Sequence, residues 1–216
     1  MLLLSVEIIT LPWGELERLK SENPQESAFM KANAERARER GQPSRTIQHW
    51  VPLGLIPPEA VNAVIVAEDG TFWAHGGFDW FEFRESLGKN LRELRFARGA
   101  STITQQLVKN LYLSASKDPL RKLREWILTW EMERTLSKSR ILELYLNVIE
   151  WGDGIYGIEA ASRHYFGKSV SQLTREESAR LAAVIPNPKR HRADSNSRYV
   201  LRHTQLILTR MDARGY

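Results

Sequence analysis

The sequence predicts a mostly α-helical fold, and three observations carry that reading. Apolar residues recur at helical spacing in segment after segment, helix start and stop signals bracket those segments, and runs of alternating β-branched residues are absent. The first stretch, Met1–Trp13, is apolar but interrupted by Glu7 and followed by Glu15. A membrane-spanning helix needs about 20 apolar residues, and a secretory leader begins with basic residues. The stretch therefore reads as an apolar first element or the trailing end of an anchor. Glu15 to Gln48 is polar and charge-rich, with helical spacing from Ser27 to Gly41 between Asn23-Pro24 and the glycine. Arg36, Arg38 and Arg40 within it read as the solvated face of a peripheral lobe.

The remaining helices have clear openings. Pro57-Pro58 starts one that ends at Glu68, and Thr102 with Gln105 stands at capping-box spacing ahead of another. Asp118-Pro119 places an N-cap before a proline at the first helical position. Thr174 and Glu177 form a further box, and that helix stops at Pro186-Asn187-Pro188. A last amphipathic stretch, Arg198 to Met211, closes at Gly215.

Composition narrows the function classes. With 42% hydrophobic and 26% charged residues in 216, the chain has ordinary globular make-up, which excludes disorder and collagen. Having no cysteine, it carries no disulfide framework, zinc ribbon or cysteine nucleophile. The 31 basic against 26 acidic residues leave a net charge of +5 and favour an anionic partner. Tryptophan, with seven copies, prefers membrane–water boundaries and sugar faces, although core packing accounts for the same residues. Zinc-protease, EF-hand, Walker and serine-hydrolase motifs are all missing. A divalent ion would therefore need carboxylates and a ligand phosphate as its partners.

Three places stand out chemically. Val61, Val64, Ile65 and Glu68 share one helix face. A carboxylate at the end of such a stripe is desolvated, and Asp69 beside it adds a second negative charge; both push the pKa of Glu68 towards that of a general base. The alternative is a helix-end acid that merely reaches solvent. Gly99 to Gln106 offers small residues and hydroxyls ahead of a helix, which suits an anion, or simply caps the helix. Lys109 lies one turn beyond Gln105 on the same side. Around Glu125, the apolar residues Leu120, Leu123, Ile127 and Trp130 read as the buried stripe, with Arg121, Lys122, Glu125 and Thr129 opposite. On this evidence alone, Arg121 and Glu125 form a surface pair one helical turn apart.

Taken in order, EDGTFWAHGGFDW (Glu68–Trp80), RGASTITQQLVKNLYL (Arg98–Leu113), RKLRE (Arg121–Glu125), RILELYLN (Arg140–Asn147), GDGIYGIEAASRHYFGK (Gly152–Lys168) and LAAVIPNP (Leu181–Pro188) resemble the motifs of the peptidoglycan glycosyltransferases, glycosyltransferase family 51. No transpeptidase domain follows them, so the chain is similar to the monofunctional biosynthetic members.

The resemblance implies a lysozyme-like helical fold with a large globular lobe, a smaller membrane-facing lobe and a cleft between them. Residues 1–50 would be an N-terminal segment, holding an anchor remnant and part of the smaller lobe, and 51–216 the catalytic domain. It implies polymerisation of lipid II into a β-1,4-linked glycan strand with inversion and release of undecaprenyl pyrophosphate. Glu68 would be the general base and Glu125 would assist departure of the pyrophosphate. Asp69, Phe72, His75, Ser101, Thr102, Gln105, Gln106, Lys109, Asn110, Lys117, Arg121 and Lys122 match positions expected to bind substrate.

A divalent cation, Mg²⁺ or Mn²⁺, would accompany the pyrophosphate, with no organic cofactor. The implied partners are lipid II, the growing lipid-linked strand, the membrane surface and other cell-wall synthesis or division proteins. The implied location is the periplasmic face of the bacterial inner membrane, with the anchor absent or truncated in this chain. A lytic hydrolase would not need the basic cluster around Glu125. A nucleic-acid binder would show a recognition helix or basic stripe, and neither is evident.

Overall fold

The computed structural model describes residues 11–80, 84, 101–113 and 120–216. The expectation of a mostly helical chain holds, with 61% helix and 4% strand, consistent with a lysozyme-like helical glycosyltransferase domain. Helix α1 spans Trp13–Arg18 and α2 spans Ala28–Glu39, the latter capped by the Ser27 hydroxyl. After the short strand β1 (Ile47–Gln48) comes α3, Pro58–Glu68, begun by the expected proline pair. Helix α4 (Ile103–Tyr112) opens with the predicted Thr102/Gln105 capping box. Helix α5 covers Arg121–Thr135 among the described residues; the proposed cap, Asp118-Pro119, lies outside them. Helix α6 is Lys138–Val148, followed by β2 (Glu150–Gly152), β3 (Ile155–Tyr156) and α7 (Ile158–Phe166). Helix α8 (Arg175–Val184) carries the second capping box, and α9 (Arg198–Asp212) completes the chain.

Two helical groups build the core. Helix α8 packs on α9 and α3, while α4 packs on α5, α6 and α2. Phe72, Tyr145 and Trp151 are fully buried between these elements. Burying such aromatic surface is the main driving force of the fold, at roughly 25 cal/mol per Å² of apolar area. Asn147 ties α6 to the segment before α3, its side chain accepting from Val51 N–H at 2.8 Å and donating to Val51 O at 2.9 Å.

The sequence showed no sign of a sheet, yet a small one forms in the order β1-β3-β2. Strand β1 runs parallel to β3, pairing Ile47 with Ile155, and β2 runs antiparallel to β3. Strands of two or three residues are too short to display alternation, so only tertiary pairing makes them visible. The arginine-bearing α2 is not detached from the rest: Met30 is buried, and the Asn33 amide donates to the Tyr156 hydroxyl at 2.7 Å.

One expectation is overturned. On α5 the buried stripe is Glu125, Leu128, Thr129 and Met132, whereas Trp126 and Trp130 are exposed. The reversal is partial: Lys122 is exposed as expected and Leu123 and Ile127 are half-buried, while Glu125, partnered by Lys122 and Arg121, and Thr129, whose hydroxyl donates to Glu125 O at 2.6 Å, are buried. Partnered polar groups can be buried, so the apolar count alone misplaced the face. No helix among the described residues is long and apolar enough to cross a membrane.

Candidate active site

Glu68 ends α3 and Gln106 sits on the second turn of α4, and tertiary packing brings them together. The Gln106 amide Nε2 donates to Glu68 Oε2 at 2.8 Å. Its other end, Oε1, accepts from the Tyr145 hydroxyl of α6 at 2.9 Å, which fixes which way the amide points. Glu68 is thus the end of a relay that starts in the core. Burial raises the pKa of its carboxyl above the ordinary 4.5; the Gln106 hydrogen bond and the Lys109 charge oppose the rise, and Asp69 adds to it. Tyr145 is pushed well up in the same way, by its own burial first and then by the negative charges of Glu68 and Asp69, so its hydroxyl stays protonated and able to donate.

Asp69 is buried and acts as a brace. Its Oδ2 accepts from the Ile103 N–H at 2.9 Å, at the first turn of α4, and its Oδ1 lies 2.9 Å from His75 Nε2. A carboxylate there satisfies an otherwise orphan donor and meets the positive end of the helix dipole. His75 Nδ1 accepts from Gly77 N–H at 3.1 Å, which assigns the proton to the nitrogen facing Asp69. The Thr102 hydroxyl donates to Gly77 O at 2.7 Å, closing the loop onto α4. Gly77 has φ +90°, and a Cβ there would stand 2.9 Å from Glu133 Cγ and Thr129 Cγ2, so glycine is required for this close approach.

The start of α4 resolves as a cap. Thr102 N–H donates to Gln105 Oε1, Gln105 N–H to the Thr102 hydroxyl, and Ile103 N–H to Asp69. These first-turn donors serve the protein itself, leaving no open anion cradle in them. Phe72 is fully buried with the Lys138 ammonium 4.4 Å from its ring centre, and Asn110 is buried and donates to Gln106 O at 2.8 Å. Asp69, Phe72, Thr102, Gln105 and Asn110 are therefore buried side chains packed or bonded within the protein, His75 is half-buried against Asp69, and Ser101 is exposed.

The second acid sits across from Lys109. Glu125, 4% exposed, takes Lys122 on Oε1 and has Arg121 3.6 Å from Oε2. Lys109 is exposed as a residue, yet crowding around its ammonium lowers its pKa, burial first, with Arg121 and Lys122 also pushing down and Glu125 and Glu68 pulling up. One lysine thus feels both acids and both neighbouring cations. Lys117 lies outside the described residues.

Sequence reasoning missed Tyr145, which reads as a core aromatic, and the anchor in which Glu133 takes Thr104 at 2.5 Å and Lys138 at 2.8 Å. Neither the Tyr145–Gln106 nor the Thr104–Glu133 contact had a local signal, because the partners are 39 and 29 residues apart in sequence. Among the described residues, no group of three or more histidine, aspartate or glutamate side chains could hold a metal. Both oxygens of Glu125 already face cations, so the donor set does not fit a resident divalent ion.

The transglycosylase family model matches residues 34–212. The chain belongs to the transglycosylase family. Among its relatives, the biosynthetic peptidoglycan transglycosylase of Nitrosospira multiformis is 46% identical over 88% of this chain and 82% of its own length. That of Methylobacillus flagellatus is 45% identical over 88% and 82%. The protein of the same name from Nitrosomonas eutropha is 43% identical over 98% and 87%. In this transglycosylase the acid of the Glu68–Asp69 pair, the helix of Gln106 and Lys109, and the Arg121–Glu125 segment form one polar constellation.

Proposed function

We propose that this transglycosylase polymerises lipid II into glycan strands with Glu68 as the general base. The reading is carried by one observation: α4 carries both Gln106, bonded at 2.8 Å to the half-buried, raised-pKa Glu68, and Lys109, whose ammonium lies in the fields of Glu68 and of the ion-paired Glu125–Arg121–Lys122 cluster. Inversion at the donor anomeric carbon needs a base on one face and charge stabilisation on the other. The acceptor 4-hydroxyl oxygen bonds to that carbon, its proton passes to Glu68, and the bond to the pyrophosphate oxygen breaks. General-base help of this kind contributes about 10²–10⁴ in rate. The departing pyrophosphate gathers negative charge, which Lys109, Arg121 and Lys122 meet, with Lys117 as a further cation in the proposal. Glu125 holds Arg121 and Lys122 in place for that task. Mg²⁺ or Mn²⁺ enters the proposal only as a companion of the substrate pyrophosphate, and no step passes through it.

The test is a gel assay of lipid II polymerisation, with and without divalent ion, comparing the protein with Glu68→Gln. The variant keeps the shape and is expected to lose at least about a hundredfold in rate; retained activity removes Glu68 from the mechanism. The proposal places the protein at the periplasmic face of the inner membrane, supported by the relatives' biosynthetic role and by exposed Trp73, Trp80, Trp126 and Trp130. Co-sedimentation with anionic vesicles at moderate salt checks this, and a protein left wholly in the supernatant refutes it.

A further inference from the structure

The arginines of α2 acquire a meaning that their sequence did not show. Arg36 and Arg40, one turn apart, line with Arg45 and Lys189 a pocket of about 340 Å³, whose walls also hold Glu150 and Asp153. Arg38, between them, does not line it. The acids are already served: Lys189 Nζ lies 3.3 Å from Glu150 Oε1 and 3.3 Å from Asp153 Oδ1. Glu150 also accepts from the Asn33 amide and Gly154 N–H.

The guanidiniums are not so served. Arg36 bonds only neutral oxygens, Ala32 O at 3.0 Å and Asn33 Oδ1 at 2.8 Å. Arg40 and Arg45 make no ion pair among the described residues. The wall is fixed by backbone, since Ile47 N–H donates to Gly154 O at 2.9 Å and a Cβ on Gly154 would come within 2.4 Å of Arg45 O. Three guanidiniums without a carboxylate, held around one concavity, call for an anionic ligand with planar acceptors.

We propose that this pocket is a second binding site, distinct from the Glu68 constellation, for a carboxylate-bearing peptide. Gln42, Ser44 and Thr46 add amide and hydroxyl groups suited to peptide bonds, and a concave site of this size admits a peptide but not a flat lipid surface. On the function proposed above, that ligand is the acidic peptide borne on peptidoglycan. The site holds a peptide of the strand while chemistry proceeds at Glu68.

The experiment measures binding of a fluorescently labelled pentapeptide, L-alanyl-γ-D-glutamyl-L-lysyl-D-alanyl-D-alanine, to the full chain at physiological ionic strength. Binding is expected to saturate, and to weaken about tenfold or more in Arg40→Glu and Arg45→Glu, as for lost charge-assisted hydrogen bonds. Arg38→Glu changes the net charge equally but lies off the pocket, and is expected to bind like the parent. The peptide with its carboxylates amidated is expected to bind at least about tenfold more weakly. Absence of binding, equal losses in all three variants, or equal binding of the amidated peptide overturns the site. So does binding to anionic vesicles that Arg40→Glu abolishes while peptide binding is unchanged. All three arginines are exposed, so folding is expected to survive, and thermal melts verify it. Lipid II polymerisation by the unaltered protein is measured in parallel: polymerisation without peptide binding sinks this site alone, and peptide binding without polymerisation sinks the proposed function alone.

Discussion

Replacing Gln106 by leucine isolates what the relay does for Glu68. Among the described residues, the side chain supplies the one hydrogen bond that favours the ionised Glu68 carboxylate, at 2.8 Å, against a burial that disfavours it. A hydrogen bond to a charged group is worth about 1.5–3 kcal/mol. At about 1.4 kcal/mol per tenfold, its loss lowers the ionised fraction on the acid side by roughly ten- to a hundredfold. The sign follows from the chemistry: removing a donor to the carboxylate raises an already raised pKa, and only the ionised base can take the acceptor proton. Polymerisation by Gln106→Leu is therefore expected to fall steeply at low pH and to approach the parent rate where Glu68 is fully ionised in both.

The same change leaves the fully buried Tyr145 hydroxyl without its partner, so a stability loss of about 1–3 kcal/mol accompanies it. Tyr145→Phe, which removes only the group that orients the amide, is expected to move the acid limb in the same direction by less. The assay is initial rate of lipid II consumption across pH, with urea melts to separate folding from chemistry. A uniform loss at every pH, or an acid limb that does not move, refutes the assignment of Gln106 as the group that holds the base ionised.

Glu125→Gln is expected to cut polymerisation at least about tenfold while the protein stays folded, because Arg121 and Lys122 lose the carboxylate that holds them; a shift in thermal stability alone would return the pair to the role of a surface contact. Asp69→Asn removes the charge that faces the start of α4 and is expected to cost about 1–2 kcal/mol in urea unfolding, and unchanged stability would show that the brace is not formed. Gly77→Ala is expected to destabilise by about 1–3 kcal/mol, since its Cβ meets Glu133 and Thr129 at a positive φ.

Local signals settled much of this protein. The proline pair before α3, the Thr102/Gln105 and Thr174/Glu177 boxes and the closing Gly215 each act within a few residues, so the helix starts were legible without a structure. The apolar stripe ending at Glu68 likewise announced a desolvated acid, and the ordered motifs announced the family. What the chain order could not reveal depends on residues far apart meeting. The buried face of α5 was misread in part because Glu133 finds Thr104, 29 residues away on α4, and such a partner stabilises polar burial only after packing. Tyr145 joins the site because α6 lies against α4, and the arginines of α2 become a pocket because β1 pairs with β3. Short-range periodicity and capping are written in neighbouring residues, whereas the electrostatic environment of a side chain is set by whatever the fold places beside it.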